Sequence, residues 1–435
     1  MMRKRNIITL ALLAAGLSSQ AQDVNKLIDQ KDVERIIKTL SADDMQGRGT
    51  FTPGIDKAAT FIESEFKKAG LQPLTGLTSY RQGFTAYRTS AVQKQVKLDG
   101  QMVPEANVVV IAGANFDWNN NTDVQVARIT AEQNFQQEYR TYIRSGKKTL
   151  LIIDPKFGET FGFLKERFNS NVNMQAPAGT GTQQVVMVLG IYDNVKLFEV
   201  NYKTKTDNPS LFNVAGMIPG KSKPNEYVVF SGHYDHLGII KPMEGDSIAN
   251  GADDDASGTT AMISLAKYYK KLNNNERTLI FVAFTAEEIG GFGSQYFSKQ
   301  LDPEKTVAMF NIEMIGKTSK FGQNTAFITG YERSDFGEIL QRNLQGTAFT
   351  FHPDPYPQQN LFYRSDNATL ARLGVPAHTI STDQIDTDKL YHSVDDEFSS
   401  LDAANITATI RAIALSSRSI VAGKDTPKRI AKLER

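Results

Sequence analysis

The chain has 435 residues, 40% hydrophobic and 22% charged, with a formal net charge of +1. That length suits two domains and that balance suits a sizeable buried core, so wholesale disorder is excluded. Without residues 1–21, which hold Arg3, Lys4 and Arg5 and no acid, 46 basic side chains face 48 acidic ones, so neither a nucleic-acid nor an anionic-membrane partner is expected.

The N-terminus reads as a secretory signal, residues 1–21. Arg3-Lys4-Arg5 is a basic start, Ile7–Leu17 is an apolar run too short to span a bilayer, and Ser19-Gln20-Ala21 offers small residues for cleavage before Gln22. No later stretch approaches ~20 continuous apolar residues, so no stable membrane anchor is expected. The sequence has no cysteine, which excludes disulfides and thiolate metal sites and leaves any metal to His and carboxylates. A periplasmic or secreted protein is the expectation.

Apolar spacing predicts helices over Asp32–Leu40 and Gly54–Ala69, the second stopped by Gly70, with a Gly47-Arg48-Gly49 turn between them. From 91 to 202 the texture becomes short β-like runs, at Asn107–Ile111, Thr149–Ile153 and Gln184–Leu189, with one helical stretch at Ala131–Ser145. This segment is read as an inserted β-rich domain. The flanking 22–90 and 203–423 form the main domain. There, near-continuous apolar runs at Tyr227–Ser231, Thr278–Thr285 and Val307–Ile312 suit strands buried on both faces. Phe327–Thr329 and His378–Ser381 continue the series. Helices are expected at Ser257–Leu272, Ser334–Gln345, Asn367–Leu373 and Ala403–Val421. The alternation predicts an α/β three-layer sandwich with a mostly parallel mixed sheet. Residues 424–435 read as a charged, frayed tail.

Charge gathers where the strands end. Val228–Ser231 delivers His233, with Asp235 two residues on; open α/β sheets place ligands outside the carboxyl ends of their strands. Asp235 is a candidate acceptor for the second ring N–H of His233. Asn250–Gly258 carries Asp253, Asp254 and Asp255 at a helix start. A cap accounts for one acid, whereas three mutually repelling acids are better explained by a carboxylate that bridges two cations. Phe281–Thr285 ends in Glu287-Glu288, and because adjacent side chains diverge, one can bind metal while the other moves a proton. Phe310–Ile312 ends in Glu313. Leu390-Tyr391-His392 follows the last strand, with Asp396 a candidate partner for His392 and Tyr391 a candidate oxyanion donor. Each signal alone is ordinary. Two His and at least three acids at successive strand ends suit divalent cations, zinc first.

The ordered set resembles the co-catalytic di-zinc aminopeptidases, the metallopeptidase family that also contains glutamate carboxypeptidase and glutaminyl cyclases. The matching residues are His233-x-Asp235, the Gly251–Gly258 block, Glu287-Glu288, the Asn311–Gly316 block and Tyr391-His392. The Leu40–Leu71 region and Asn213–Gly220 resemble it too, so the likeness covers about 32–88 and 205–420. It implies two Zn2+ per chain. His233 and Glu313 would share one, Glu288 and His392 the other, and Asp254 would bridge both with a cis bond to Asp255. Glu287 would be the general base and then acid. The family usually has Asp where this chain has Glu313. The insert resembles a protease-associated domain through Lys147–Ile153 and the helix before it. The expected activity is exopeptidase action on peptides, foremost as an aminopeptidase. Carboxypeptidase or cyclase action on the same scaffold and a catalytically inactive binding module are the alternatives.

Overall fold

The computed structural model describes residues 24–175 and 183–433. The expected signal segment lies outside the described residues. The chain divides into two compact units, Thr85–Ser210 and the flanking residues up to Phe84 and from Leu211.

The larger unit contains helices α1 (Gln30–Leu40) and α2 (Pro53–Ala69), strands β1 (Gln72–Pro73), β2 (Arg81–Thr85), β3 (Ser210–Ile218) and β4 (Lys223–His233), helix α3 (Gly258–Leu272), strand β5 (Arg277–Phe284), helix α4 (Phe292–Gln300), strands β6 (Thr306–Ile312) and β7 (Thr325–Ile328), helix α5 (Phe336–Asn343), strand β8 (Thr350–Pro353), helix α6 (Asn367–Ala371), strand β9 (Ala377–Ser381) and helices α7 (Ala403–Ser416) and α8 (Arg418–Val421). Helix α2 starts on Pro53, whose missing N–H costs nothing at the first turn, and stops at Gly70 with φ 79°.

The nine strands form one sheet in the order β1-β3-β5-β4-β6-β9-β7-β8, with β2 beside β3. Its centre, β5-β4-β6-β9, is parallel throughout. The apolar runs make this possible, because alternate side chains leave the sheet on opposite faces. Val228, Phe230, Leu279, Phe281 and Phe310 pack with α1, α2, α3, α5 and α7 on one side. Val229, Ile280, Val282, Phe284 and Met309 pack with α4 and α6 on the other. Phe230 stacks on Phe281 and Phe310 at 5.3 and 4.8 Å, tying three central strands together; each fully buried ring contributes about 2–3 kcal/mol. The result is the three-layer sandwich.

Three details depart from the sequence expectation. The inserted unit is wider than 91–202, because Tyr87–Leu98 pairs antiparallel with Phe198–Asp207 from Arg88↔Asp207 to Leu98↔Phe198, with one register shift between Lys203 and Thr204. The last long helix is broken at Ser417 into α7 and α8. The residues after Gly423 are not a frayed tail: Ile430 is buried among Met309, Leu370 and Val375, and the Arg277 guanidinium, itself buried, donates to the carbonyl of Asp425 at 2.6 Å. The backbone N–H of Ile430 also donates to the carbonyl of Gly374, and Arg429 to that of Thr306, so the segment is held at several points.

The inserted unit has two sheets. In one, 184–189 lies antiparallel to 108–112 and parallel to 149–153, which is parallel in turn to 125–129. The other is built on Tyr87–Leu98 and Phe198–Asp207.

Candidate metal centre

Parallel pairing aligns the strand ends. His233 lies opposite Phe284 in the β4–β5 register, Ser231 opposite Asn311 in β4–β6, and Ile312 opposite Ile380 in β6–β9. The residues just past these positions therefore gather at one edge. Three turns there force ordinary residues into the left-handed region: Ala286 at φ 58°, Met314 at φ 50° and His392 at φ 58°. Such backbone strain, of order 1 kcal/mol or more each, persists where the surrounding structure overrides it, commonly at functional sites.

Asp254 is the centre of the group. Its Oδ1 lies 3.1 Å from His233 Nε2, and its Oδ2 lies 3.3 Å from His392 Nε2. His392 Nε2 is also 3.2 Å from Glu288 Oε2. Ligand atoms of His233, Asp254 and Glu313 all lie within 4.8 Å of one another. The structure thus brings together His233, Asp254, Glu288, Glu313 and His392, with Glu287 lining the same cleft.

Burial pushes most of the surrounding carboxyls up: Asp255 and Glu287 well above the ordinary value, Glu313 by a smaller amount and Asp366 to about 7. Asp254 and Glu288 are the exceptions. Burial opposes their charge too, but His233 and His392 against Asp254 hold it well below the usual range, and His236 and His392 hold Glu288 down. Negative charge is therefore concentrated on the two acids that face the imidazoles.

Two expected partnerships are redrawn. The second ring nitrogen of His233, Nδ1, faces the backbone carbonyl of Asp235 at 3.1 Å, while the Asp235 carboxylate stands 3.9 Å away. That carboxylate instead accepts the backbone N–H of Glu287 (3.1 Å) and of Glu288 (3.3 Å), so Asp235 fixes the turn that carries both acids. Asp396 does not serve His392. Its carboxylate accepts the N–H groups of Asp253 and Asp254, each at 3.0 Å, because the turn aims those donors at it. Asp255, joined to Asp254 by a cis peptide bond, accepts from the N–H groups of His233, Gly258 and Met314 at 3.0–3.1 Å, linking two strand ends to the start of α3. Tyr391 lines the cleft and stacks on His392 with ring centroids 3.8 Å apart.

Two residues had no role in the sequence reading. His236 Nδ1 lies 2.6 Å from Glu288 Oε1 and 3.7 Å from Asp254 Oδ2, so a second imidazole backs that acid pair; its spacing in His233-Tyr234-Asp235-His236 was the available signal. Arg48 is wholly buried beneath the site. It donates to the carbonyls of Leu40 (2.7 Å), Tyr234 (2.9 Å), Asn250 (2.5 Å) and Gly251 (2.8 Å).

The donor set fits divalent cations. His233 Nε2 and Glu288 Oε1 are buried without a well-formed hydrogen bond, although buried polar atoms are nearly always satisfied. Imidazole and carboxylate without thiolate suit zinc, and the two oxygens of Asp254 face two different sets.

Residues 213–416 match Peptidase family M28. A probable zinc metalloprotease of Leptosphaeria maculans is 34% identical over 141 residues, 31% of this chain and 32% of that protein. Leucine aminopeptidase 1 of Penicillium rubens is 28% identical over 202 residues, 43% and 50% of the two chains. The chain thus spans at most about half the length of these curated relatives. An aminopeptidase from Aneurinibacillus sp. strain AM-1 shares the fold with TM-score 0.60 at 17% identity, over 95% of this chain and 97% of that one. A zinc aminopeptidase from Bacillus subtilis does so at 0.57 and 16%, over 94% and 99%.

Proposed function

We propose that the chain, whose residues 213–416 match Peptidase family M28, is an exported, zinc-dependent aminopeptidase. The observation that carries the reading is the division of Asp254: Oδ1 toward His233 and Oδ2 toward His392. A carboxylate placed so is suited to bridge two cations, one held with His233 and Glu313, the other with Glu288 and His392. Zinc bound there would polarise the scissile carbonyl and lower the pKa of the attacking water.

The chain's own residues do the rest. The Glu287 carboxylate takes the proton from the attacking water and delivers it to the leaving amine nitrogen. Asp235 holds Glu287 at its post through the backbone. Tyr391, which lines the cleft, would donate a hydrogen bond from its hydroxyl to the developing oxyanion. Export rests on the Arg3–Ala21 signal pattern.

The test compares leucyl-anilide with its N-acetylated form. The account expects hydrolysis of the free-amine substrate and little of the blocked one. Hydrolysis confined to blocked substrates, or release of C-terminal residues, would assign the scaffold to another exopeptidase or cyclase activity.

A further inference from the structure

The cleft beside Glu287 and Glu313 spans about 620 Å³, part of it open to solvent. It contains one acid that neither the metal set nor the proton transfer uses. Asp383 lies two residues beyond β9, 3% exposed, and lines the cleft. Its backbone N–H donates to Ser381 Oγ at 3.1 Å, which fixes the turn. Neither of its carboxylate oxygens accepts a hydrogen bond from any donor among the described residues. Its close neighbours are themselves acids, Asp253 and Asp388, with ligand atoms of all three within 4.8 Å.

One cation serves this trio, and it is engaged elsewhere. The Lys317 ammonium pairs with Asp388 Oδ2 and stands 3.5 Å from Asp253 Oδ2. Burial, then Asp253 and Asp388, push the Asp383 carboxyl up to about 8. Near neutral pH that carboxyl keeps its own proton, and a cation that reaches it from the cleft takes the proton's place. An ammonium already lies against two of the three acids, which disfavours a divalent ion in the same space and leaves Asp383 for a cation arriving through the cleft. Phe327, Leu361 and Ile385 supply apolar wall along that route, while Arg364, also on the wall, is exposed and reaches Gln359 Oε1 at 3.4 Å.

We propose that Asp383 is a specificity-determining residue, which makes this cleft select substrates whose N-terminal side chain has an apolar stem and a cationic tip, as in lysine or arginine. The proposal rests on the aminopeptidase reading above and names the substrate class of that same site. The stem lies along Phe327, Leu361 and Ile385, and the tip gives Asp383 the donor it lacks.

The experiment compares lysyl- and norleucyl-anilide on the zinc-loaded full chain. The two side chains share the same carbon stem and differ by the terminal ammonium. The ratio of their kcat/KM values is expected at about tenfold or more in favour of lysine, the effect of one charged hydrogen bond. Asp383→Asn should bring that ratio close to one, and Asp383→Glu should keep it above one. A wild-type ratio at or below one overturns the proposal whether or not the variants fold. So does an Asp383→Asn protein with an unchanged ratio, or one in which both substrates fall equally, since the acid would then serve the α-amine. Metal-loaded protein that cleaves neither substrate counts instead against the aminopeptidase reading itself.

Discussion

Arg48 offers the sharpest test of how the site is held. Its guanidinium is wholly buried and pairs with no carboxylate among the described residues; it donates to four backbone carbonyls at 2.5–2.9 Å and to a fifth, that of Asp254, at 3.4 Å. Burial works against its charge, and the nearby carboxylates of Asp254, Asp396, Asp255 and Asp235 favour it. Arg48→Met would take the side-chain donor from the buried carbonyls of Leu40, Tyr234 and Asn250, at about 1 kcal/mol each, whereas that of Gly251 keeps the N–H of Ala256. It would also leave several buried acids without their common counter-charge. The expected loss is about 4–6 kcal/mol, a large share of the 5–15 kcal/mol that about bounds a folded domain. Arg48→Lys keeps the charge but not the planar fork, so an intermediate loss is expected. Urea denaturation followed by circular dichroism reads both. A loss below about 1 kcal/mol for Arg48→Met would refute the argument that this cation organises the strand ends.

Glu65 is buried against Lys267, Arg35 and Lys68; burial opposes its charge, but those three partners hold its pKa down at about 2. A depressed carboxyl adds stability above its unfolded pKa of about 4.5 and loses it as pH falls through about 2. Discounted for the exposed Arg35 and Lys68, the contribution is about 2 kcal/mol. Glu65→Gln should therefore flatten the stability profile between those pH values, and an unchanged acid limb would count against the pairing. Glu313→Asp withdraws the ligand oxygen by about one C–C bond, ~1.5 Å. A chromophoric chelator titration should then show one zinc weakened about tenfold or more, and two zinc ions held as tightly as in the wild type would count against Glu313 as a ligand. Gly258→Ala would set a Cβ 2.0 Å from Ile312 O and 2.4 Å from Asp255 Oδ1. Thermal melting should show a loss of about 3 kcal/mol, as overpacking against backbone has no cheap relief; a neutral melt would mean the turn relaxes.

The sheet was legible because β4, β5 and β6 are continuous apolar runs, a pattern that double-sided burial imposes. Tyr87–Leu98 was not, because its Gln93, Lys94, Gln95 and Lys97 leave it half exposed without the alternation that marks a strand. At the site, the gathering of His233, Asp254, Glu288, Glu313 and His392 follows from strand ends, which a sequence displays. Hydrogen-bond direction does not follow from spacing. Asp235 and Asp396 were assigned to imidazoles because they lie near them in the chain, whereas each in fact takes backbone N–H groups whose aim is set by local turns. Arg48 acts across 186 to 203 residues on Tyr234, Asn250 and Gly251, beyond any local pattern. Asp383 is an ordinary loop acid until the turn at Ser381 buries it.

The central claim is that two zinc ions and Glu287 act together at this edge of the sheet. Metal content and leucyl-anilide hydrolysis measured on the same preparations of wild type and Glu287→Gln test it most directly. The account predicts about two zinc per chain in both proteins, wild-type activity lost to a chelator and restored by zinc, and a variant rate lower by about 10²–10⁴-fold. Chelator-insensitive hydrolysis, or a Glu287→Gln protein with an undiminished rate, would contradict it.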